Sequence, residues 1–222
     1  MPCVIVAQVA TQSLSQQSTP GSPIASEIAN QMPKPQMELQ AIISNSPLLS
    51  TVLERWDEIG LPDGRLVAGA IAQTVWNHAF DFAHNHGIDD IDLVYFDDND
   101  LSESAEAEHS ARIRSLFSDL PVWIDVKNQA RVHLWYRKKF GYSIAPYTST
   151  DDAITTFPTT AAAIGIRPVD NRLDLYAPYG LSDLLAPLIR ANKKQIGREI
   201  YEKKVARWRK LWPDLQIIPW DE

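Results

Sequence analysis

Cysteine is almost absent from this chain: Cys3 is the only one in 222 residues. A single thiol builds no disulfide framework and no cysteine-based zinc site, and the pattern suits a reducing compartment. Long apolar runs are also missing, so no segment reads as a membrane-crossing helix. The apolar start "MPCVIVAQVA" has no Lys or Arg ahead of it, which argues against a secretory leader. These absences point to the cytoplasm and to no membrane partner. Positive charge is in deficit, with 21 Lys and Arg against 28 Asp and Glu, a net charge of −7. Such a balance argues against indiscriminate binding of nucleic acid or anionic membranes, while leaving room for a local basic patch.

Large apolar side chains are plentiful: 45% of residues are hydrophobic and seven are Trp, enough for a sizeable core. The length allows one domain with an extension. From Thr11 to about Pro35 the chain is rich in Ser, Gln, Thr and Pro, and such a segment buries too little surface to offset its ordering entropy. Residues 1–37 are therefore expected to be a flexible tail, and residues 38–222 a single domain without internal repeats.

Ser46-Pro47 reads as an N-cap with proline at the first helical position, opening a helix that runs to Gly60. "RLVAGA" reads as a buried strand end. "IAQTVWNHAFDFAHNHG" reads as a helix ending at Gly87. A strand is expected at Asp90–Phe96, then a helix capped by Ser102 or Ser104, then a second strand in "PVWIDVKN". Helix "QARVHLWYRKKFG" follows, then a hairpin turning at Asp170-Asn171 and a helical "GLSDLLAPLI". A long final helix carries Tyr201, Val205, Trp208 and Trp212 as its apolar stripe. The alternation predicts an α/β or α+β domain.

The most unusual stretch is "GIDDIDLVYFDDND", with six aspartates in fourteen residues. Side chains at i and i+2 of a strand share a face, so Asp90 and Asp92 can reach a common cation. Asp125 lies mid-strand in "WIDVK". If the two strands are neighbours, three carboxylates converge. From Asp81 to Asp125 there are twelve acidic residues against Arg112 and Arg114. Hard divalent cations take oxygen ligands, and Mg²⁺ takes one or two carboxylates together with substrate phosphates. The plainer readings are that Asp89, Asp97, Asp98 and Asp100 are solvated loop or helix-entry groups, and that Asp125 is one half of a salt bridge, since burying it unpaired is costly.

The order of elements resembles the polymerase-beta-type nucleotidyltransferase fold. That superfamily has a glycine-containing turn opening a helix, an Asp-x-Asp strand, and a third Asp on an adjacent strand. Here these correspond to Gly69 in "VAGAIAQTVW", Asp90 and Asp92 in "DDIDLVYFD", and Asp125 in "WIDVKNQARVHLW". Together with "FPTTAAAIGIR", "YAPYGLSDLL" and "KVARWRKLWP", these runs resemble a family of bacterial nucleotidyltransferase-like proteins, over about residues 50–220. The resemblance implies a mixed sheet flanked by helices with a small C-terminal hairpin and helices. It also implies Mg²⁺ or Mn²⁺ held by Asp90, Asp92 and Asp125, which act as the catalytic carboxylates. A nucleoside triphosphate would donate its nucleoside monophosphate to a hydroxyl acceptor, whether small molecule, RNA or protein. The family's turn is usually Gly-Gly or Gly-Ser, and here it reads Gly69-Ala70.

Gly69, Ala70, Lys127, Asn128 and Arg131 are the expected substrate-binding residues. Lys127 shares the face of Asp125, either against phosphate or as a counter-ion. Asn128 and Gln129 are equally explained as polar caps, and His133 as an ordinary helix histidine. His78, His84 and His86 lack the spacing of a zinc helix motif. Residues Lys193 to Lys210 carry eight basic and two acidic groups, either for a triphosphate or RNA end or as a solvated face. Two rival functions are a glycosyltransferase that holds a nucleotide sugar through Asp-x-Asp, and a non-catalytic nucleotide-binding module.

Overall fold

Strand β1 is short, Arg65–Val67, and all three residues are buried, because it lies in the middle of the main sheet. A computed structural model describes residues 32–170 and 172–222. Among these, β2 (Asp90–Tyr95), β3 (Trp123–Asn128), β4 (Gly165–Val169) and β5 (Arg172–Tyr176) join β1 in the order β3-β2-β1-β4-β5. Within this sheet β2 and β3 run parallel, and its other pairs are antiparallel. Parallel neighbours need a long crossover, here helix α5 (Glu103–Leu116), capped by the Ser102 hydroxyl accepting from Ala105 N–H at 3.2 Å.

The sheet divides its side chains by the period of two. One face presents Leu66, Ile91, Leu93, Ile124, Val126 and Ile166, each at most 2% exposed, to the main core. The other face carries Arg65, Val67, Asp90, Asp92, Val94, Asp125 and Lys127. Arg65, 3% exposed, pairs with Asp151 at 2.6 Å and Asp174 at 3.1 Å. With two carboxylates at hand, the buried guanidinium stays paired even if one of them is lost.

Helix α1 (Lys34–Ser44) buries Leu39, Ile42 and Ile43. The expected tail boundary at residue 37 falls inside it, because Lys34–Met37 form its exposed first turn. Residues 1–31 lie outside the described residues. Helix α2 (Pro47–Glu54) starts at the Ser46 cap as expected. The chain then breaks at Arg55 (φ −102°, ψ 20°) before α3 (Trp56–Ile59), which ends at left-handed Gly60.

Helix α4 (Gly69–Ala79) is shorter than the periodicity suggests. After it, Asp81 adopts φ 57° and the chain folds around Asn77, whose Nδ2 donates to His84 and His86 carbonyls at 3.3 and 2.9 Å. After β3 come a 3-10 turn (Gln129–Arg131), α6 (Val132–Phe140) and the unanticipated α7 (Thr150–Ile154). The hairpin β4–β5 turns at Asp170 and residue 171, the latter outside the described residues. It is not a separate C-terminal piece, because β4 pairs with β1 and β5 completes the main sheet.

Helix α8 (Ser182–Leu185), the parallel pair β6 (Leu188–Ile189) and β7 (Gln216–Ile217), and helix α9 (Arg198–Leu211) finish the chain. The stripe Tyr201, Val205, Trp208 and Trp212 is buried as expected. Trp76 meets both Trp208 and Trp212 edge-on at 5.3 Å, and Trp212 Nε1 donates to Asn77 Oδ1 at 2.8 Å. A buried Trp removes ~150–250 Å² from water, worth up to ~4–6 kcal/mol. The exposed Arg198–Glu202 pair at 3.9 Å contributes under ~1 kcal/mol. Packing therefore anchors α9. No helix among the described residues is long and apolar enough to cross a membrane.

Candidate active site

Register brings the carboxylates together. Asp92 sits opposite Asp125 across the parallel β2–β3 pair, and Val67 opposite Asp92 across β1–β2. Strand spacing of ~4.8 Å makes the first two direct neighbours. Asp90 shares their face two residues earlier, beside Trp123. Val67, opposite Asp92, ends β1, and Ala68, the residue that precedes α4, lines the same cavity as Asp92.

The acids differ in their surroundings. Asp125 Oδ1 is 3.1 Å from Lys127 Nζ and 3.6 Å from the Arg114 guanidinium. Its salt-bridge reading is therefore realised, within the same cluster. Among the described residues Asp92 has no such partner within salt-bridge distance. Burial, then the charges of Asp90 and Asp125, push its pKa up to about 7, against the weaker pull of Lys204 and Lys127. Lys204, from α9, is held below the ordinary lysine value by burial and by Arg207, although Asp92 and Asp90 oppose this. Negative charge is thus left under-compensated at Asp92. Among the described residues, however, no three Asp, Glu, His or Cys side chains close around a single point. The expected three-carboxylate cage is not formed by side chains alone, because Asp125 is turned toward its two cations.

Asp92, Asp125, Lys127, Lys204 and exposed Lys139 line a cavity of about 470 Å³. Its walls include Trp135, Phe140, Tyr147 and Phe157. A few charged groups among aromatic and apolar walls are the character of a ligand site. A cavity of similar volume, about 480 Å³, between Tyr201 and Trp220 is lined by none of Asp90, Asp92 and Asp125.

The expected substrate contacts fall in different places. The Ala70 side chain is fully buried, while its backbone N–H belongs to the first turn of α4. Asn128 is 1% exposed and fully engaged: Oδ1 accepts from Asp97 and Ala130 N–H at 3.1 and 3.0 Å, and Nδ2 donates to the Asp97 carbonyl at 2.8 Å. It neighbours Lys127 on the strand and so faces the opposite side. Arg131, 8% exposed, pairs with Glu106 at 2.9 Å and donates to the Leu101 carbonyl at 2.9 Å, locking α5 to the end of β3. Lys127 is at the cavity as expected.

The turn also differs from expectation. The residue with backbone geometry that favours glycine is Ala68 (φ 59°, ψ −118°), whereas Gly69 is already helical. The strained pair is Ala68-Gly69, one residue earlier than the sequence suggested. Sequence reasoning missed Lys139, Lys204 and the aromatic wall as site residues. The basic count of the C-terminal segment was the only signal for Lys204.

No curated protein matches this chain. An NMR structure described as revealing a CCA-adding enzyme head domain matches with a TM-score of 0.68 and 26% identity, covering 82% of this chain and 95% of that one. The polymerase-beta-type fold expected from the sequence is the fold found. A family model described as nucleotidyltransferase matches residues 54–217, and the chain belongs to that family.

Proposed function

We propose that this chain transfers a nucleoside monophosphate from a nucleoside triphosphate to a hydroxyl acceptor, releasing pyrophosphate, with Mg²⁺ or Mn²⁺. The observation that carries the reading is Asp92, a carboxylate neighboured by two others and lacking a matching cation, at a cavity that the start of α4 also borders. The donor set fits a hard divalent ion: carboxylate oxygens are present, and substrate phosphates would supply what the side chains do not close. Asp90, Asp92 and Asp125 would hold it. When bound, such an ion ties triphosphate to the carboxylates and lowers the pKa of an acceptor hydroxyl.

The chain's own groups do the rest. Lys127, Lys139 and Lys204 balance phosphate charge, and the free N–H groups at the start of α4 face the same anion. The aromatic walls hold the base and exclude water. In the reaction the acceptor oxygen bonds to the α-phosphorus, the bond from that phosphorus to the bridging oxygen breaks, pyrophosphate leaves, and the hydroxyl proton passes to solvent. Position and electrostatics carry such a transfer.

The test is to incubate the full chain with each labelled ribonucleoside triphosphate, cell extract, and Mg²⁺ or Mn²⁺. A labelled acceptor and pyrophosphate are expected, and both should vanish in Asp92→Asn and Asp125→Asn. Binding without turnover would make the chain a nucleotide-binding module. Turnover of nucleotide sugars alone would make it a glycosyltransferase.

A further inference from the structure

Trp123 opens β3 and is 55% exposed, unusual for so large an apolar ring. It shares the face of Asp125, two residues on, and stands opposite Asp90 across the parallel pair. Its backbone N–H donates to the Asp89 carbonyl at 3.1 Å. The Arg114 guanidinium lies over its ring, 3.9 Å from the centroid. Arg114 is itself anchored, since Nε donates to the Ile124 carbonyl at 2.9 Å and Nη2 is 3.6 Å from Asp125. A stacked, anchored guanidinium holds the indole in one orientation. More than half exposed, the ring keeps free surface beside the acids.

The cavity of the candidate site lies on the other side of the same acids. Asp92 and Val94 of β2 and Asp125 and Lys127 of β3 line it, whereas Asp90 and Trp123, at the N-terminal ends of these strands, do not. The lysines that balance phosphate charge, Lys127, Lys139 and Lys204, are all on the cavity side. An in-line displacement brings the acceptor oxygen to phosphorus opposite the departing group. With pyrophosphate among the lysines, the acceptor comes from the side of Asp90 and Trp123. That side is acidic: Asp89 and Asp90 adjoin Trp123, and Arg114 already faces Asp125. A nucleic-acid strand would bring phosphates against those carboxylates, whereas an ammonium group is attracted by them and by the indole.

We propose that Trp123 seats the acceptor, and that the acceptor is a small cationic hydroxyl compound of the amino-sugar type. Its ring lies on the indole, the field of the carboxylates attracts its ammonium group, and one hydroxyl is turned toward the α-phosphorus. This assignment rests on the nucleotidyl-transfer reading above. It adds a second subsite and the chemical class of its occupant.

The test uses the full chain in Mg²⁺ and measures NMR saturation transfer to glucosamine, to glucose and to a short oligoadenylate. Isothermal titration of the ribonucleoside triphosphates runs beside it. Wild type should transfer saturation to glucosamine more strongly than to glucose, and least to the oligonucleotide. Trp123→Ala should weaken glucosamine about two- to fivefold, Trp123→Phe by less, and both should leave triphosphate affinity unchanged. If Trp123→Ala fails to fold by circular dichroism, Trp123→Phe carries the comparison. Equal glucosamine signals from wild type and variant overturn the assignment, as does a wild type that binds triphosphate but not glucosamine. An oligonucleotide signal stronger than that of glucosamine, and lost with Trp123, overturns it in favour of a nucleic-acid acceptor. Wild type binding no triphosphate overturns the nucleotidyl-transfer reading itself.

Discussion

Asp92 and Asp125 are cross-strand partners on parallel β2 and β3, yet only Asp125 has cations in contact. The pair is electrostatically unequal, and Asp92 holds its proton up to about pH 7. An unfolded Asp titrates near ~3.9. The folded state therefore binds the proton more tightly between these values, and stability falls as pH rises from about 4 through 7. Asp92→Asn should flatten that decline, and in EDTA at pH 8 be more stable than wild type by on the order of 2 kcal/mol, after screening by the open cavity. Urea melts at pH 4.5, 6 and 8 decide it. Parallel pH profiles, or a variant much weaker in EDTA, would show Asp92 to be a structural ion-pair partner.

Divalent ion and triphosphate should stabilise the protein together more than separately, because carboxylates and phosphates share the ion in the proposed site. Thermal melts with EDTA, Mg²⁺ alone, triphosphate alone and both are the measurement. The joint increment should disappear in Asp125→Asn. Equal increments in variant and wild type would place the ion elsewhere.

Lys204→Met keeps an unbranched apolar side chain and removes the ammonium that lies over the Trp208 ring. Its Tm should stay within a few degrees of wild type. Triphosphate affinity should drop by about tenfold at low salt and by less at high salt, since screening already weakens that contribution. An unchanged affinity at both salt levels would remove Lys204 from the phosphate site.

Ala68 is held at φ 59°, ψ −118°, where a Cβ is strained. Ala68→Gly should stabilise the fold by about 1 kcal/mol, less than the full strain because glycine also loosens the unfolded chain. Gly87→Ala should do the opposite. Gly87 has φ +66°, and a Cβ would stand 2.5 Å from the Trp212 ring, so a loss of ~2 kcal/mol or more is expected. Denaturant midpoints of both variants check the pair.

Removing residues 1–32 should leave Tm nearly unchanged, in keeping with their Ser/Gln/Pro composition. Removing residues 1–45 deletes Leu39, Ile42 and Ile43 from the core and should lower Tm by ten degrees or more. A large drop from the shorter deletion would make the tail part of the domain.

Much of this was legible in the sequence because period-two alternation is a local property. Asp90, Asp92 and Asp125 lie where spacing puts them, and Asn128 could have been assigned to the opposite face from its odd separation to Lys127. The break at Arg55 and the end of α4 were not legible. Helical periodicity continues through both points, and the structure stops it through tertiary demands, such as Asn77 capturing the His84 and His86 carbonyls. Helix α1 was obscured by the composition of the segment before it. Lys204 was legible only as one of eight basic residues in its segment, because its placement depends on how α9 packs on α4.

The hydrogen bond from Trp212 Nε1 to Asn77 Oδ1 spans 135 positions of chain. During translation the carboxylates of β2 and β3 leave the ribosome long before Lys204 and Trp212 do. A nascent chain that stops short of α9 carries the acids and Lys127 without Lys204 and without the indoles that seat that helix. The candidate centre is therefore completed only once α9 is made, and a chain that stops before Arg198 lacks Lys204.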